Sequence, residues 1–308
     1  MEELATDFGL VEGPTWIKDK GLLFSDVIKG GVYLLDDSNN ISTIVEHRRG
    51  IGGIAVHEKN GLVVGGRNIS YKSFTGDKTT TLLSNDVTEV ALGFNDLTTD
   101  SKGRVYVGSV AFKVFSDEEM IPGHLHVIDV DGSVRTISDG VMLSNGLGFS
   151  PDGKTLYHSD ARDAVVRQYA VSPDGDVSDW KPFVKTNNGH PDGLAVAEDG
   201  SVWIAMAYGS RVDVFESNGA LRESLPVPLP MVTSVCFGGP DLKDLYVVTG
   251  SRGGPSATCG TIFRTRVDIP GLPISEAKVV VAAIKCSLLR LVHRLDLGNQ
   301  LVCRQELV

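Results

Sequence analysis

Glu12, Asn95, Asn145 and Asp192 occupy one position of a short recurring segment: Glu12-Gly13-Pro14, Asn95-Asp96-Leu97, Asn145-Gly146-Leu147 and Asp192-Gly193-Leu194. Each copy leads into an apolar stretch, a polar turn with Gly, and a second apolar stretch. If the copies stack around one axis, two carboxylates and two amide carbonyls meet at one point. An all-oxygen set of that kind suits a hard divalent cation. Singly, these residues have plainer roles. Asn145 before Gly146, and Asp192-Gly193 after Pro191, are turn formers, and Glu12 before Gly-Pro could cap a strand. Turn chemistry does not, however, require Glu, Asn, Asn and Asp in one register.

The elements that must position them follow from the same alignment. Gly52 and Thr233 fall in the same column, which gives six copies at intervals of roughly 40 to 50 residues, the length of a four-stranded blade. The turns that follow include Asp19-Lys20-Gly21, Lys59-Asn60-Gly61, Ser150-Pro151-Asp152-Gly153 and Glu198-Asp199-Gly200. Each copy therefore reads as an inner strand, a Gly-containing hairpin and a second strand, with third and fourth strands after it. The expected fold is all-β: a six-bladed β-propeller of four-stranded antiparallel blades over residues 1–281. Two sandwich domains are the alternative, but they give no reason for one register repeated along the chain. In a propeller the inner strands line the channel, so the column residues crowd at one mouth.

Other candidates for that mouth are Arg67, Asn68 and Tyr71 after the second strand of the second copy, His190 before the fifth motif, and Tyr208. Each also has a packing or surface reading. An insertion from Ala111 to Gly123, with Phe112 and Phe115, is either a loop over the mouth or a solvated surface loop. From Ala282 the pattern stops. Ile284, Leu288, Leu291 and Leu295 fall at helical spacing among basic residues, so residues 282–308 read as an atypical extension, helical or non-native.

Bulk composition narrows the function classes. The chain has 308 residues, 42% apolar, with 35 glycines and 7% aromatics, a balance of many tight turns between short strands. A net charge of -10 argues against nucleic-acid partners. No apolar run is long enough to cross a membrane, and the acidic start Met1-Glu2-Glu3 is unlike a signal peptide, so a cytoplasmic protein is expected. Cys236, Cys259, Cys286 and Cys303 lack metal-ligand spacing and read as buried or incidental thiols. There is no GxSxG elbow, and Ser251-Arg252-Gly253-Gly254 lacks a P-loop lysine. Propellers close their own sheet edges, so a monomer or weak dimer is expected.

The segments Glu12-Gly13-Pro14-Thr15-Trp16, Phe94-Asn95-Asp96, Ser144-Asn145-Gly146-Leu147 and Pro191-Asp192-Gly193-Leu194, in this order, resemble the senescence-marker-protein/gluconolactonase (regucalcin-like) family. The resemblance runs from about Leu10 to Lys278 and includes Gly260-Thr261-Ile262-Phe263-Arg264, with Gly271-Leu272-Pro273, as the closing blade. It implies one divalent metal ion at the axis (calcium, zinc, manganese or magnesium) held by Glu12, Asn145 and Asp192. Asn95 would be a fourth ligand or a substrate contact. It also implies a metal-dependent lactonase that opens a sugar or other small lactone with metal-activated water, Asp192 being ligand and candidate general base. A metal-activated hydroxide is the alternative base. Other readings are a diisopropyl-fluorophosphatase-like phosphotriesterase, which would use Asn95 as a direct ligand, and a non-catalytic calcium-binding propeller. Two positions depart from the family. Gly93 stands where sugar lactonases often carry Arg, and Leu97 where they often carry Gly. Without that Arg a donor for sugar hydroxyls or a carboxylate is missing, so the identity of the lactone stays open.

Overall fold

A computed structural model describes residues 1–76, 79–87 and 91–281 as 24 strands and one short 3-10 turn. The expected extension from Ala282 lies outside the described residues. In chain order the strands are β1 (Glu2–Phe8), β2 (Val11–Ile17), β3 (Gly21–Asp26), β4 (Val32–Leu35), β5 (Ile41–Val45), β6 (Ile54–His57), β7 (Gly61–Val64), β8 (Ile69–Ser73) and β9 (Thr79–Leu83). They continue as β10 (Gly93–Thr99), β11 (Val105–Val110), β12 (Gly123–Ile128), β13 (Val134–Val141), β14 (Ser144–Phe149), β15 (Thr155–Asp160), β16 (Val165–Ala170) and β17 (Lys181–Lys185). The last are β18 (His190–Val196), β19 (Val202–Ala207), β20 (Arg211–Phe215), β21 (Leu221–Pro226), β22 (Met231–Gly238), β23 (Asp244–Gly250) and β24 (Gly260–Arg266).

Strands β2–β5, β6–β9, β10–β13 and β14–β17 form four separate antiparallel sheets of four strands. The remaining eight strands form one sheet. In it β18-β19-β20-β21 and β22-β23-β24-β1 meet through a single register pair, Ala207 with Met231. Six separate sheets are therefore not what is seen. The chain between β21 and β22 explains the join. Val227 N–H donates to Ser210 O, and Ser210 N–H donates to Pro230 O, which draws Met231 onto the end of β19.

The arrangement is a propeller. The first strands β2, β6, β10, β14, β18 and β22 pack neighbour on neighbour in a closed ring, with β22 returning onto β2. β1, from the start of the chain, pairs with β24 and fastens the ring. Apolar side chains on the two faces of each sheet bury against the sheets beside it. Phe8, Phe24, Tyr246 and Ile262 form one such seam between the ends of the chain, and Trp16 stacks on Tyr246 at 5.6 Å. Each fully buried side chain of this size contributes about 1.5–3 kcal/mol.

Two features of the first strands position the site. Register breaks fall between Glu12 and Thr15, Phe94 and Leu97, Ser144 and Leu147, Pro191 and Leu194, and Val232 and Ser234. Such bulges re-aim the side chains they contain. The glycine after the column residue then allows close approach. A Cβ on Gly146 would lie 2.4 Å from Leu194 N, and one on Gly193 would lie 2.0 Å from Ser234 Oγ. These Asn-Gly and Asp-Gly pairs are thus in strands, and the glycines serve packing at the axis.

A buried carboxylate at the end of the second strand holds the entry to the first. Asp26 accepts from the N–H groups of Gly9, Leu10, Ile28 and Lys29. Asp160 accepts from Met142 and Leu143 N–H at 2.9 and 3.0 Å, and from Arg167 Nη2 at 2.7 Å. Asp160 and Arg167 have almost no solvent exposure. Asp160→Ala leaves the buried Arg167 guanidinium with only the more distant Asp163 carboxylate and the carbonyls of Asp139 and Gly140, so it is expected to cost up to about 3–5 kcal/mol of stability in chemical denaturation.

After β24 the chain crosses the far face of the ring. Leu272 N–H donates to Val196 O, Ala277 N–H to Val56 O, Lys278 N–H to Gly103 O and Val280 N–H to Val130 O. Gly271-Leu272-Pro273, expected in the closing blade, belongs to this strap. No helix among the described residues is long and apolar enough to cross a membrane.

Candidate metal and active site

Glu12 on β2, Asn95 and Asp96 on β10, Asn145 on β14 and Asp192 on β18 each lie two to four residues into a first strand, inside the bulge. Glu12, Asp96, Asn145 and Asp192 are buried, with 6–8% of their surface exposed. Asn95 Nδ2 donates to Asn145 Oδ1 at 2.6 Å and to Ser144 O at 2.8 Å. A backbone carbonyl can only accept, so the orientation of the Asn95 amide is chemically fixed. Asn95 thereby orients the Asn145 carbonyl, which keeps a second lone pair for another partner.

The three carboxylates feel one another. Burial raises the Glu12 carboxyl well above the usual range, and the charges of Asp192 and Asp96 raise it further. Burial followed by Asp96 raises Asp192, and burial pushes Asp96 up to about 7. Among the described residues no Lys, Arg or His pairs with any of them. Asp192 Oδ1 is buried without a hydrogen-bond partner. Uncompensated buried charge and an orphaned carboxylate oxygen are what a cation would satisfy. No three His, Cys, Asp or Glu groups among the described residues converge as a ready-made ligand cluster. A cation here would need the amide oxygen of Asn145 besides Glu12 and Asp192.

Asp96 was passed over in the sequence. It stands where the other three motifs have Gly13, Gly146 and Gly193, and that exception was the available signal. Thr233, in the same column, is tied to Val11 O and Val248 O. At Gly52 a Cβ would collide with Asn95 Oδ1.

The outlying candidates are placed differently. His190, on the rim, has Nδ1 2.9 Å from Ala161 O and its ring edge to Tyr208. Asn68 Oδ1 accepts from Asn85 N–H. Arg67 is exposed, and its Cα lies 3.5 Å from where a Cβ on Gly93 would stand, beside the start of β10. Tyr71 is not at the mouth. It is buried in the middle of β8, and its hydroxyl donates to Lys59 O in the hairpin at the opposite end of the ring. The third-copy insertion does cross the mouth. Phe112 is buried with Leu143 and Ala161, Val114 O accepts from Arg162, and Phe115 lies under the guanidinium of Arg252 on the facing arc of the ring.

Ser144 Oγ and His158 Nε2 lie 2.7 Å apart, but both side chains are fully buried. Burial takes His158 down to about 3, so it is a neutral structural partner of the Asn145 strand rather than a base for a nucleophile. Cys236 and Cys259 are unpaired thiols, and burial lifts Cys236 to about 12. A cavity of about 1030 Å³ lies on the other side of the carboxylate plane, within the ring and above the strap, bordered by Asp96, Thr98 and Leu272. Asp96 therefore faces both the site and this channel. On the mouth side the column side chains meet the rim loops.

The profile of the SMP-30/gluconolactonase/LRE-like region matches residues 10–251. The chain is 30% identical to a 6-deoxy-6-sulfogluconolactonase of Pseudomonas putida, over 85% of this chain and 92% of that one. It is 31% identical to a pentonolactonase of Haloferax volcanii, over 87% and 94% of the two chains. Its fold is shared with a structure of regucalcin, a calcium-binding protein of Agrobacterium tumefaciens, at a TM-score of 0.79, 18% identity, and 90% and 97% coverage. With bulged first strands, a buried oxygen site and a family match over residues 10–251, the chain belongs to the SMP-30/gluconolactonase/LRE-like family.

Proposed function

We propose that the protein is a divalent-metal-dependent lactonase built as a six-bladed propeller, the two halves of its eight-stranded sheet each counting as a blade. The observation that carries the reading is Asp192 Oδ1, orphaned on one of three uncompensated buried carboxylates at the axis. Two relatives aligned over most of the chain are named as lactonases of sugar-derived substrates, which supports the substrate class. Glu12, Asn145 and Asp192 would hold the cation, and Asn95 would orient Asn145. Calcium, manganese and magnesium suit an all-oxygen set, and zinc is the softer candidate. When bound, the cation would polarise the lactone carbonyl and favour the ionised form of Asp192.

The residues then divide the work. A carboxylate oxygen of Asp192 not engaged by the cation would take a proton from water as the water oxygen bonds to the lactone carbonyl carbon. The ring C–O bond breaks, and the departing alkoxide recovers the proton from Asp192. Burial and Asp96 raise Asp192 in the metal-free protein, while a bound cation would lower it, so its basicity in the loaded protein is set by the balance of the two. A phosphotriesterase of the fluorophosphatase kind would use Asn95 as a direct ligand. Here its amide nitrogen faces Asn145 and Ser144 O, so that reading is not favoured.

Sugar lactones, aryl esters and organophosphates should be assayed with metal present and after chelation. Lactone hydrolysis is expected, lost on chelation and restored by one of the four ions. Metal binding with no turnover of any substrate would leave a binding propeller instead.

A further inference from the structure

Arginine is unevenly committed in this molecule. At the end of the ring away from the site, Arg104, Arg135, Arg222, Arg264 and Arg266 each contact a carboxylate. At the site end Arg167 and Arg211 are paired with Asp160 and Asp213. Among the described residues, no carboxylate pairs with Arg48, Arg49, Arg67, Arg162 or Arg252. All five lie on loops that enter a first strand or leave a second strand, on the face where the column residues open. Loops of this kind also carry Glu46, Asp86, Asp117, Glu118, Glu119 and Asp163, so what sets these arginines apart is the lack of a carboxylate partner rather than the net charge of the rim.

Three of the five, Arg49, Arg67 and Arg252, have no strong hydrogen-bond partner among the described residues. Arg48 is taken up by Gly65 O, Asn68 O and Ser70 Oγ, and Arg162 by Val114 O. Arg67 makes only a 3.5 Å contact to Asn85 Oδ1, and Arg252 lies 3.9 Å over the Phe115 ring with its fork open to solvent. They stand on the sheets flanking the one that bears Glu12. The loop's own acids do not neutralise them: Glu118 is engaged by Lys113, and neither Asp117 nor Glu119 forms an ion pair with either arginine. A guanidinium binds planar or trigonal anions through paired N–H donors.

We infer that the substrate of this site carries an anionic group of its own beside the lactone ring, a carboxylate or sulfonate, bound by Arg67 and Arg252. This rests on the lactonase reading and narrows it.

The test compares kcat/KM for hexono-1,5-lactones that differ only at C6: hydroxymethyl, carboxylate or sulfonate. They are run on the metal-loaded wild type and on an Arg67→Gln, Arg252→Gln double variant, at low and high salt. The wild type should favour the anionic lactones, and the preference should shrink with salt. In the double variant the preference should fall by at least roughly tenfold, the scale of a lost charged hydrogen bond. An equal or better rate on the neutral lactone, or a variant that slows all lactones in proportion, would overturn the inference while leaving the lactonase standing. Should no lactone react, the lactonase reading fails, and calorimetry with hexarate and hexonate decides the rest. Tighter hexarate binding, lost in the variant, upholds the anion site; equal binding sinks it.

Discussion

Asp192→Asn is expected to lower turnover by about 10²–10⁴-fold and, in the metal-free protein, to raise stability. The kinetic loss follows from removing the one carboxylate among the described residues with a buried oxygen lacking a partner, the group proposed as ligand and base. The gain in stability has a separate cause. Asp192 is an acid whose folded pKa is raised, by burial first and by Asp96 second. Such a group destabilises the fold as pH rises from its unfolded pKa toward its folded one, because the unfolded chain releases the proton more readily. Glu12 and Asp96 act in the same direction, and for Asp96 the window runs from its ordinary 3.8 to about 7. Metal-free wild type should therefore lose stability between about pH 4 and pH 7. The Asn variant, with one fewer buried acid, should lose less. Thermal melts of both proteins in chelator across that range measure it. A variant less stable than wild type at pH 7, with full turnover, would refute both halves.

Much of this was legible because repetition amplifies weak signals. Asn145-Gly146 alone is a turn, and only the column shared with Glu12, Asn95 and Asp192 marks it for the axis. Asp96 escaped because a repeat alignment rewards sameness, whereas Asp96 matters by differing from the glycines at that position. Tyr71 was misplaced for a geometric reason. It lies only a few residues after the mouth-side loop, but the third strand runs away from the mouth, so its hydroxyl ends at Lys59 O. The continuous eight-stranded sheet hangs on one backbone pair, Ala207 with Met231, which is set by where the Pro230 carbonyl points. No side-chain pattern encodes that. The role of Asn95 needed coordinates as well, since a sequence cannot say which end of an amide faces inward.

Removing the cation should cost more stability than most single substitutions, and the loss should depend on pH. Glu12, Asp192 and Asp96 repel one another in a buried setting, and a bound divalent ion turns that repulsion into attraction. Saturation at about 100 times Kd adds about 2.7 kcal/mol, visible as a rise in Tm with the effective metal and its reversal by chelator. Because the ligand carboxylates hold their protons unusually tightly, the ion must displace them, and binding should release protons to solvent. Affinity should therefore climb as pH rises through the region where free Asp96 titrates, near 7, and flatten above the folded values of the cluster. Glu12→Gln keeps an oxygen in place but removes a charge. It should weaken metal binding by at least roughly tenfold, the scale of one charged interaction, and make affinity less sensitive to pH. Calorimetry in two buffers of different protonation enthalpy reads both the affinity and the proton count. Metal affinity that is flat from pH 5 to pH 8 in wild type, or unchanged in Glu12→Gln, would remove Glu12 from the ligand set.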